Sequence, residues 1–479
     1  MAIMNPKRTE RVELVVLNEP GVLGRVIGHI RHEGWNIKRL SVDEDDKPAV
    51  PCSASAGTST MEIDIEGTHT KLAQVMDRIL NLDCIVSISM IHNGEKAIRH
   101  RLPRQAKNIT AEMTAAKVPP KQIGSFRILA INPGSTSTKY ALYDNEQCIL
   151  SETIRHDAAS LAQYSTVLNQ RDLRRDCIMQ SLRDAELDPA SIDAIAGRGG
   201  LLKPIESGVY AINEKMLEDL HSATAAIHAS ALGAIIASEI ANPLGIPAYV
   251  VDPVVVDEMD RNAKLTGMPG VERSSVFHAL NQKAIARRLA AELGKPYENV
   301  RLIVAHLGGG ITIGAHRYGR VIDVNDALAG EGPFTPERTG AIPVIPIINM
   351  CFSGEYTREE MIDKVTRKGG MKAYLGTSDL TDVQKMINDQ DEFAALVLDS
   401  MAYQVSKEIG AMAAVLEGLV DAIILTGGLA HSTRFTGAIK QRVDKLAPVH
   451  VFPGEDEMLA LSCGVLRVLR GMENPAHYN

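Results

Sequence analysis

The sequence predicts an α/β protein in which a small βαββαβ domain precedes a larger unit of two similar lobes. Residues 10–92 alternate strand-like and helix-like runs in the order β-α-β-β-α-β. From Phe126 onward, strand and helix signals alternate to the end of the chain. Within this unit, an apolar strand followed by a glycine-bearing turn begins at Arg127 and again at Arg301.

The composition limits the class of protein. A chain of 479 residues is long enough for about three domains. Its formal net charge of −8 argues against a general nucleic-acid binder. The six cysteines form no C-x-x-C pair, so neither a disulfide framework nor a structural zinc site is indicated. The sequence shows no export signal and no uninterrupted membrane span, so we expect a cytoplasmic protein that does not bind membranes.

The periodic runs set the expected domain boundaries. Strand-like runs read "RVELVVLN", "NIKRLSVDED", "TMEIDIEG" and "IVSISMIH", and the helix-like runs are "GVLGRVIGHIRHEG" and "THTKLAQVMDRILNL". Periodicity then fades in a segment rich in Lys and Arg, which favours a solvated linker over a nucleic-acid arm. The predicted parts are residues 10–92, a basic linker at 93–124, lobe I at 125–256 plus 458–479, and lobe II at 257–457.

The two copies of the strand-turn-strand unit raise the question of phosphate binding. Aligning them superposes Asn132 on His306 and Gly134 on Gly308. Neither copy is a Walker loop or a dinucleotide fingerprint, because the required second and third glycines are missing. Backbone N–H groups of tight glycine turns, with Ser and Thr hydroxyls, can still surround phosphates from both lobes. A third glycine-bearing turn, with a glycine pair, follows the apolar run "AIILT". Plain tight turns remain the alternative.

These motifs together resemble the acetate and butyrate kinase family of the actin/hexokinase-like ATPases. The resemblance rests on "INPGSTSTK", "HLGGGITIGAHRYGRVIDVNDALAGEGPFTPERTG", "ILTGGLAHS" and "VFPGEDEMLALSCG", and "GRGGLL" with "GEGPFTPERTG" resembles the butyrate kinase branch. It implies two duplicated ribonuclease H-like lobes. It also implies reversible, ATP-dependent phosphorylation of a short-chain carboxylate to an acyl phosphate, with Mg²⁺.

The resemblance assigns roles to individual residues. Arg198 and Arg338 would hold the carboxylate and the transferring phosphoryl group, for which planar guanidinium groups are suited. His278 would hydrogen-bond the phosphoryl group, and His228 would lie near the acyl phosphate. A histidine or arginine in these contexts can also be a packed or surface residue. Residues implied for the nucleotide are Asn132, Gly134, Ser135, His306, Gly308, Gly309, Gly310, Gly427 and Gly428.

Two acidic residues are the candidates for Mg²⁺. Glu457 matches the family's metal-associated glutamate, and Asp252 ends an apolar strand where α/β clefts open. Asp252 is also a catalytic candidate that would orient Arg338 or another cation, and capping of the turn before Pro253 is the alternative. Mg²⁺ bridges phosphates and keeps waters, so one or two carboxylates are enough.

Departures from the family pattern bear on substrate size. Acetate kinases carry two valines after the carboxylate-binding arginine, whereas Gly199 and Gly200 stand here. The missing side chains predict a larger acyl pocket, and hence butyrate or a branched C4 to C5 acid, since each buried CH₂ contributes about 0.8 kcal/mol. Gln282 stands where acetate kinases carry a second histidine.

The N-terminal domain resembles an ACT domain of ferredoxin-like fold, in particular that of the acetolactate synthase regulatory subunit. The resemblance implies a branched-chain amino acid near Asn18, Gly21 and Asn36 at a dimer interface. Gly21 can instead serve only to begin a helix, and Asn36 only to end its turn. Both halves resemble families that self-associate, so we expect a homodimer or a higher homo-oligomer.

Three readings of function stay open from sequence. The first is an acyl kinase, with acetate or propionate as the alternative acid. The second is another enzyme of the same fold, such as a sugar kinase, although its sugar-binding acids are not apparent. The third is a nonenzymatic amino-acid sensor whose kinase half is inactive. The set Asn132, Arg198, His278, Arg338 and Glu457 favours the first.

Overall fold

A computed structural model of the chain describes residues 8–17, 36–44, 58–67, 85–92, 95–100, 121, 124–222, 229–328 and 330–479. The chain divides into two compact units, residues 1–114 and residues 115–479. Each unit is described by itself below.

The N-terminal unit contains a five-stranded sheet in which every described pairing is antiparallel. Its order is β2-β3-β1-β4-β5, and the first four strands have the order of a βαββαβ domain. Leu14 on β1 is fully buried. The helices predicted between these strands lie outside the described residues. The strands are β1 Arg8–Leu17, β2 Asn36–Glu44, β3 Thr58–Gly67, β4 Ile85–His92 and β5 Glu95–His100.

Strand β5 was not expected from the sequence, because it falls inside the segment predicted to be a linker. It pairs with β4 from His92↔Glu95 to Ser87↔His100. Its residues, "EKAIRH", include only two apolar side chains. A short, charged edge strand carries little apolar alternation, so the sequence pattern gives no signal for it.

The larger unit contains two mixed sheets, each followed by its helices. The first sheet has the order β10-β11-β9-β6-β7-β8, and the second has the order β14-β13-β12-β15-β16. Strands of the first are β6 Arg127–Pro133, β7 Ser137–Asp144, β8 Gln147–Arg155, β9 Ala194–Gly197, β10 Val209–Ala211 and β11 Ala248–Val251. Those of the second are β12 Arg301–Leu307, β13 Ile311–Arg317, β14 Arg320–Val324, β15 Ala422–Gly427 and β16 Val449–Pro453.

The two sheets repeat one topology, as the duplicated motif predicts. In each, a first strand pairs antiparallel with the second, which pairs antiparallel with the third. The same first strand pairs parallel with β9 in the first sheet and with β15 in the second, and these pair parallel with β11 and β16. The first sheet has one additional strand, β10, which pairs antiparallel with β11. This confirms the prediction of two ribonuclease H-like lobes in an α/β unit. It places the hairpins β6–β7 and β12–β13 at equivalent positions.

The helices cover these sheets and enclose two main cores. The last helix, Glu457–Leu469, packs on the first sheet although it follows the second in sequence. Helix Glu392–Val415 packs on the second sheet. In chain order the helices are α1 Ala158–Ala162, α2 Arg171–Asp184, α3 Glu214–Ser222, α4 Leu232–Leu244, α5 Arg261–Lys264, α6 Ala279–Glu292, α7 Val344–Cys351, α8 Arg358–Thr366, α9 Gly370–Leu375, α10 Leu380–Asn388, α11 Glu392–Val415, α12 Thr433–Val443 and α13 Glu457–Leu469.

Among the described residues, the helices are too short or too polar for any of them to cross a bilayer.

Candidate active site

The turn of the β6–β7 hairpin is held in shape by a buried arginine on α2. Arg174 is fully buried. Its Nη1 donates to the carbonyl oxygens of Gly134 and Ser137, both at 2.9 Å, and its Nη2 donates to the carbonyl oxygen of Ser135 at 3.1 Å. The N–H of Gly134 donates to Ser137 O at 2.7 Å. The carbonyl groups of this turn therefore face the arginine.

Two predicted site residues of lobe I meet at the carboxylate of a third predicted site residue, Glu457. Asn132 Nδ2 donates to Glu457 Oε2 at 2.6 Å, and Arg198 Nη1 donates to the same oxygen at 2.7 Å. Arg198 Nη1 also lies 3.3 Å from Asn132 Oδ1. They come from the end of β6, the segment after β9 and the first turn of α13. The fold thus joins residues that are far apart in sequence.

Glu457 suits a shared magnesium ion. Both described hydrogen bonds go to Oε2, and Oε1 accepts none within the described part of the chain. Those described residues include no group of three or more His, Cys, Asp or Glu side chains that could hold a metal alone. One carboxylate oxygen with substrate phosphates and waters is an arrangement that Mg²⁺ accepts.

In lobe II, the turn of the β12–β13 hairpin lies beneath an arginine and a histidine. A Cβ atom on Gly310 would lie 2.5 Å from Arg338 Nη1 and 3.3 Å from His278 Cε1. Thr335 Oγ1 donates to the carbonyl oxygen of Gly309 at 2.8 Å and accepts from the N–H of Arg338 at 3.1 Å. The loop that carries Arg338 is therefore attached to the glycine turn, and Gly310 leaves the space for the guanidinium group.

Two predicted histidines stack on each other beside this turn. The rings of His278 and His306 are 3.8 Å apart at 11°. His306 Nδ1 lies 2.8 Å from Asn281 Oδ1. Its buried Nε2 lies 3.5 Å from Glu455 Oε1 in a geometry that makes no hydrogen bond, which leaves it without a partner in the described part of the chain. A buried polar atom without a partner is costly, so a bound group is expected to reach it.

His278 is a neutral imidazole. Burial lowers its pKa well below the ordinary value of 6.5, and the nearby His306, Arg198 and Arg338 lower it further. These two arginines come from different lobes. A narrow cavity is lined by Arg198, His278 and Glu457 together. Arg198, His278 and Glu457 thus share one cavity, and Arg338 lies beside His278 at the glycine turn.

Asp252 pairs with a cation other than Arg338, namely Arg287. Its Oδ1 accepts from the N–H of Gly208 at 2.8 Å, and its Oδ2 lies 3.3 Å from Arg287 Nη1. Within the described residues it makes no hydrogen bond to Arg338, and it lines the same narrow cavity as Glu457. Its φ of +36° is left-handed, which is uncommon outside glycine. Asp252 therefore anchors a strained strand end and Arg287.

The two glycines after Arg198 do not open an acyl pocket. A Cβ on Gly199 would lie 2.6 Å from Val250 Cγ1 and 2.7 Å from Pro253 Cβ. A Cβ on Gly200 would lie 2.6 Å from Ala231 Cα. Their neighbours already fill the space that side chains would occupy. The expectation of a larger pocket from these glycines is therefore wrong, since they serve close backbone packing.

Gly427 and Gly428, in the third glycine-bearing turn, have different roles. Gly427 has φ +91°, and a Cβ there would lie 2.4 Å from the carbonyl oxygen of Leu307 at the end of β12. Gly427 and Gly454 exchange two backbone hydrogen bonds of 3.0 Å. Gly428 has no atom within 4 Å of the Cβ position, so it leaves open space at the start of the helical turn before α12.

Three predicted site residues, His228, Asn18 and Gly21, lie outside the described residues. Asn36 begins β2, but its side chain is not described. Ser135 is exposed on the hairpin turn and keeps its hydroxyl available to a ligand. The roles of these residues stay predictions.

Sequence reasoning missed the residues that support the site. Arg174 and Asn281 lie in none of the quoted motifs, and Thr335, although it lies inside "GEGPFTPERTG", was given no role. Asn281 does follow His278 by three positions, a helical spacing that places both on one face of α6. That spacing was an available signal for Asn281, whereas the contact of Arg174 with a turn on another element is visible only in the fold.

Comparison with known proteins agrees with this arrangement. Residues 262–447 match the Acetokinase family, and residues 12–87 match the AHAS small subunit-like ACT domain. Residues 262–447 are therefore similar to the Acetokinase family. The part that is similar to an ACT domain precedes them, as predicted.

Solved structures of carboxylate kinases are similar to a larger part of the chain. Acetate kinase from Porphyromonas gingivalis is 20% identical with a TM-score of 0.60, and the match covers 71% of this chain and 99% of that one. Acetate kinase from Entamoeba histolytica is 19% identical, with a TM-score of 0.59 and coverage of 71% and 98%. A propionate kinase from Francisella tularensis subsp. tularensis SCHU S4 is 18% identical, with a TM-score of 0.56 and coverage of 71% and 98%. These likenesses show the fold and confirm the predicted fold class.

Proposed function

We propose that this protein transfers a phosphoryl group reversibly between ATP and a short-chain carboxylate. The observation that carries the proposal is that Arg198, from lobe I, and Arg338, from lobe II, both lie beside His278. A carboxylate nucleophile is already ionised and needs no general base. The reaction instead needs positioning and cationic groups around the transferring phosphoryl.

The residues divide this work. Arg198, held by Asn132 and Glu457, would bind the carboxylate. Arg338 and His278 would contact the transferring phosphoryl, with the arginine offsetting the charge that develops in the transition state. Glu457 would contribute its free Oε1 to Mg²⁺, whose charge neutralises the nucleotide phosphates. The two glycine turns would surround these phosphates with backbone N–H groups.

The direct test is trapping of the acyl phosphate with hydroxylamine in the presence of ATP, Mg²⁺ and an acid. Arg338→Lys should lower kcat much more than it raises KM for ATP, because lysine keeps the charge and loses the fork. In-line transfer predicts inversion at a chiral phosphoryl group. Retention would contradict direct transfer, and absence of any acyl phosphate would favour the nonenzymatic sensor.

For the acid, we propose butyrate or a branched C4 to C5 carboxylate, with acetate or propionate as the alternative. The support is the likeness of "GRGGLL" and "GEGPFTPERTG" to the butyrate kinase branch. The comparison structures named as acetate and propionate kinases support the alternative. Comparing kcat/KM for acetate, propionate, butyrate, isobutyrate and isovalerate decides between them, and a clear acetate preference would overturn the C4 proposal.

For the N-terminal domain, we propose that valine, leucine or isoleucine binds and alters kinase activity. The match of residues 12–87 to an AHAS small subunit-like ACT domain supports this. Calorimetry of the full chain with each amino acid, beside kinase assays with and without it, tests both parts. If none of the three binds, the effector proposal fails and self-association is the simpler role of the domain.

A further inference from the structure

A chain of buried hydrogen bonds leads from Tyr297 to His278 behind the candidate active site. The Tyr297 hydroxyl lies 2.7 Å from His316 Nδ1, and His316 Nε2 lies 3.0 Å from Gln282 Oε1. Gln282 Nε2 donates to the carbonyl oxygen of Thr312 at 3.0 Å and to its Oγ1 at 2.9 Å. Thr312 Oγ1 lies 3.0 Å from His278 Nδ1. Gln282, Thr312 and His316 are fully buried.

The direction of the first two links follows from charge. Burial raises the pKa of Tyr297, so the phenol keeps its proton. It donates that proton to His316 Nδ1, because Nε2 of the same ring faces the acceptor Gln282 Oε1 and must carry the ring proton. Burial lowers the pKa of His316, and the charges of Lys283 and Arg287 lower it further. A neutral His316 that accepts at Nδ1 carries its single proton on Nε2. That proton is donated to Gln282 Oε1.

The direction of the last two links follows from the amide. If Gln282 were flipped, its carbonyl oxygen would face the carbonyl oxygen of Thr312, and both are acceptors. The amide nitrogen therefore donates to Thr312, whose hydroxyl accepts. Among the described residues, the remaining polar atom in contact with this hydroxyl is His278 Nδ1. The hydroxyl donates there, so Nδ1 accepts and the proton of His278 lies on Nε2.

The backbone is shaped around this arrangement. A Cβ on Gly314 would lie 2.5 Å from Gln282 Oε1 and 3.2 Å from His316 Nε2. Glycine inside a strand weakens a sheet, so Gly314 on the internal strand β13 indicates that another group approaches the backbone closely there. Here the close approach is that of the Gln282 amide to the strand.

We propose that Gln282 is a positioning residue that, through Thr312, holds His278 in the tautomer with its proton on Nε2. The functional meaning rests on the kinase activity proposed above, whereas the tautomer is a property of the resting protein. Nε2 of His278 has no partner within the described chain, and the histidine shares a cavity with Arg198. An Nε2–H group facing that space can donate to a phosphoryl oxygen. The other tautomer would direct a lone pair at it.

The tautomer can be measured directly on the full chain labelled with ¹⁵N in the histidine rings. Long-range ¹H–¹⁵N correlation spectra distinguish a protonated from an unprotonated ring nitrogen, and comparison with His278→Gln assigns the His278 signals. We expect a neutral ring with the proton on Nε2. Thr312→Ser, which keeps the hydroxyl, should preserve this pattern, and Thr312→Val should weaken it. A wild-type proton on Nδ1, or a Thr312→Val pattern identical to wild type, would overturn the proposal.

Gln282→Met removes the link from Gln282 to Thr312, since a thioether cannot donate a hydrogen bond and the side chain keeps a similar length. The Thr312 hydroxyl is then no longer fixed as a donor to His278 Nδ1 and can accept from it instead, which weakens the preference for a proton on Nε2. We expect kcat to fall about 10–100-fold, as for loss of other supporting contacts, with KM for ATP nearly unchanged and the Nδ1 signal shifted. Unchanged kcat and unchanged ring signals would refute the role of Gln282. If the wild type shows the expected tautomer but no acyl phosphate forms with any acid, the kinase proposal fails and the tautomer assignment stands.

Discussion

Replacing Arg174 with methionine tests whether the lobe I turn depends on one buried side chain. Hydrogen bonds to a charged donor contribute about 1.5–3 kcal/mol each. Arg174 donates to the carbonyl oxygens of Gly134, Ser135 and Ser137 and to Gln170 Oε1. These contributions do not add, because burying the guanidinium group is itself costly and Ser137 O has a second donor. We expect Arg174→Met to lower the free energy of unfolding by about 3–5 kcal/mol, and to raise KM for ATP.

The assay is urea unfolding followed by circular dichroism, with kinase kinetics measured at low urea concentration. Arg175→Met is the matched control, since the neighbouring arginine is only partly buried and pairs with Glu239 at 2.9 Å and Asp176 at 2.9 Å. Such pairs contribute about 0–1 kcal/mol. Arg174→Lys keeps the charge without the fork and should fall between the two. Equal loss of stability in both methionine variants, or a large loss for Arg174→Met with an unchanged KM for ATP, would refute the reasoning.

Three further predictions concern the site and the surface. Gly310→Ala should abolish most activity without loss of fold, because the new Cβ would lie 2.5 Å from the Arg338 guanidinium group. The control Gly309→Ala should retain stability and more activity, because no atom lies within 4 Å of that Cβ position. Burial keeps the pKa of His278 well below 6.5, so its charged form appears only at lower pH and kcat should not decline as pH falls from about 7 to about 6. A decline of kcat centred near pH 6.5 would contradict this. Helix α7 has no buried residue, and Ile345 on it is 67% exposed, as expected of a helix that is covered by self-association. Ile345→Glu should then reduce the mass measured by light scattering, and an unchanged mass would show that this helix is not the association surface.

The architecture could be predicted from sequence because both lobes repeat a local pattern. An apolar strand that ends in a glycine turn identifies the hairpin beginning at Arg127, and the same pattern identifies the one at Arg301. Their equivalent sheet positions follow from that repeat. Residues adjacent to such turns, including Asn132 and His306, were therefore found by pattern and family likeness. In the structure Asn132 contacts Glu457, and His306 stacks on His278.

Contacts between distant elements could not be predicted in the same way. Nothing local to Asn132 indicates that its amide donates to Glu457, since the two are brought together only when α13 packs back on lobe I. The glycines at 199 and 200 show the converse error. A missing side chain was taken to mean empty space, but whether the space is empty depends on what the neighbouring strand and loop place there.

The two hairpins solve the same problem by different means, and this difference separates their roles. In lobe I the turn is one residue longer, since Pro133 pairs with Thr138 whereas Leu307 pairs directly with Ile311. A longer turn leaves more carbonyl groups to satisfy, and a buried arginine does so. The shorter turn of lobe II is all glycine and lies beside the stacked rings of His278 and His306 and the guanidinium group of Arg338. The duplicated topology therefore gives one turn whose carbonyl groups are held by a buried arginine and one turn whose glycines leave room for functional side chains.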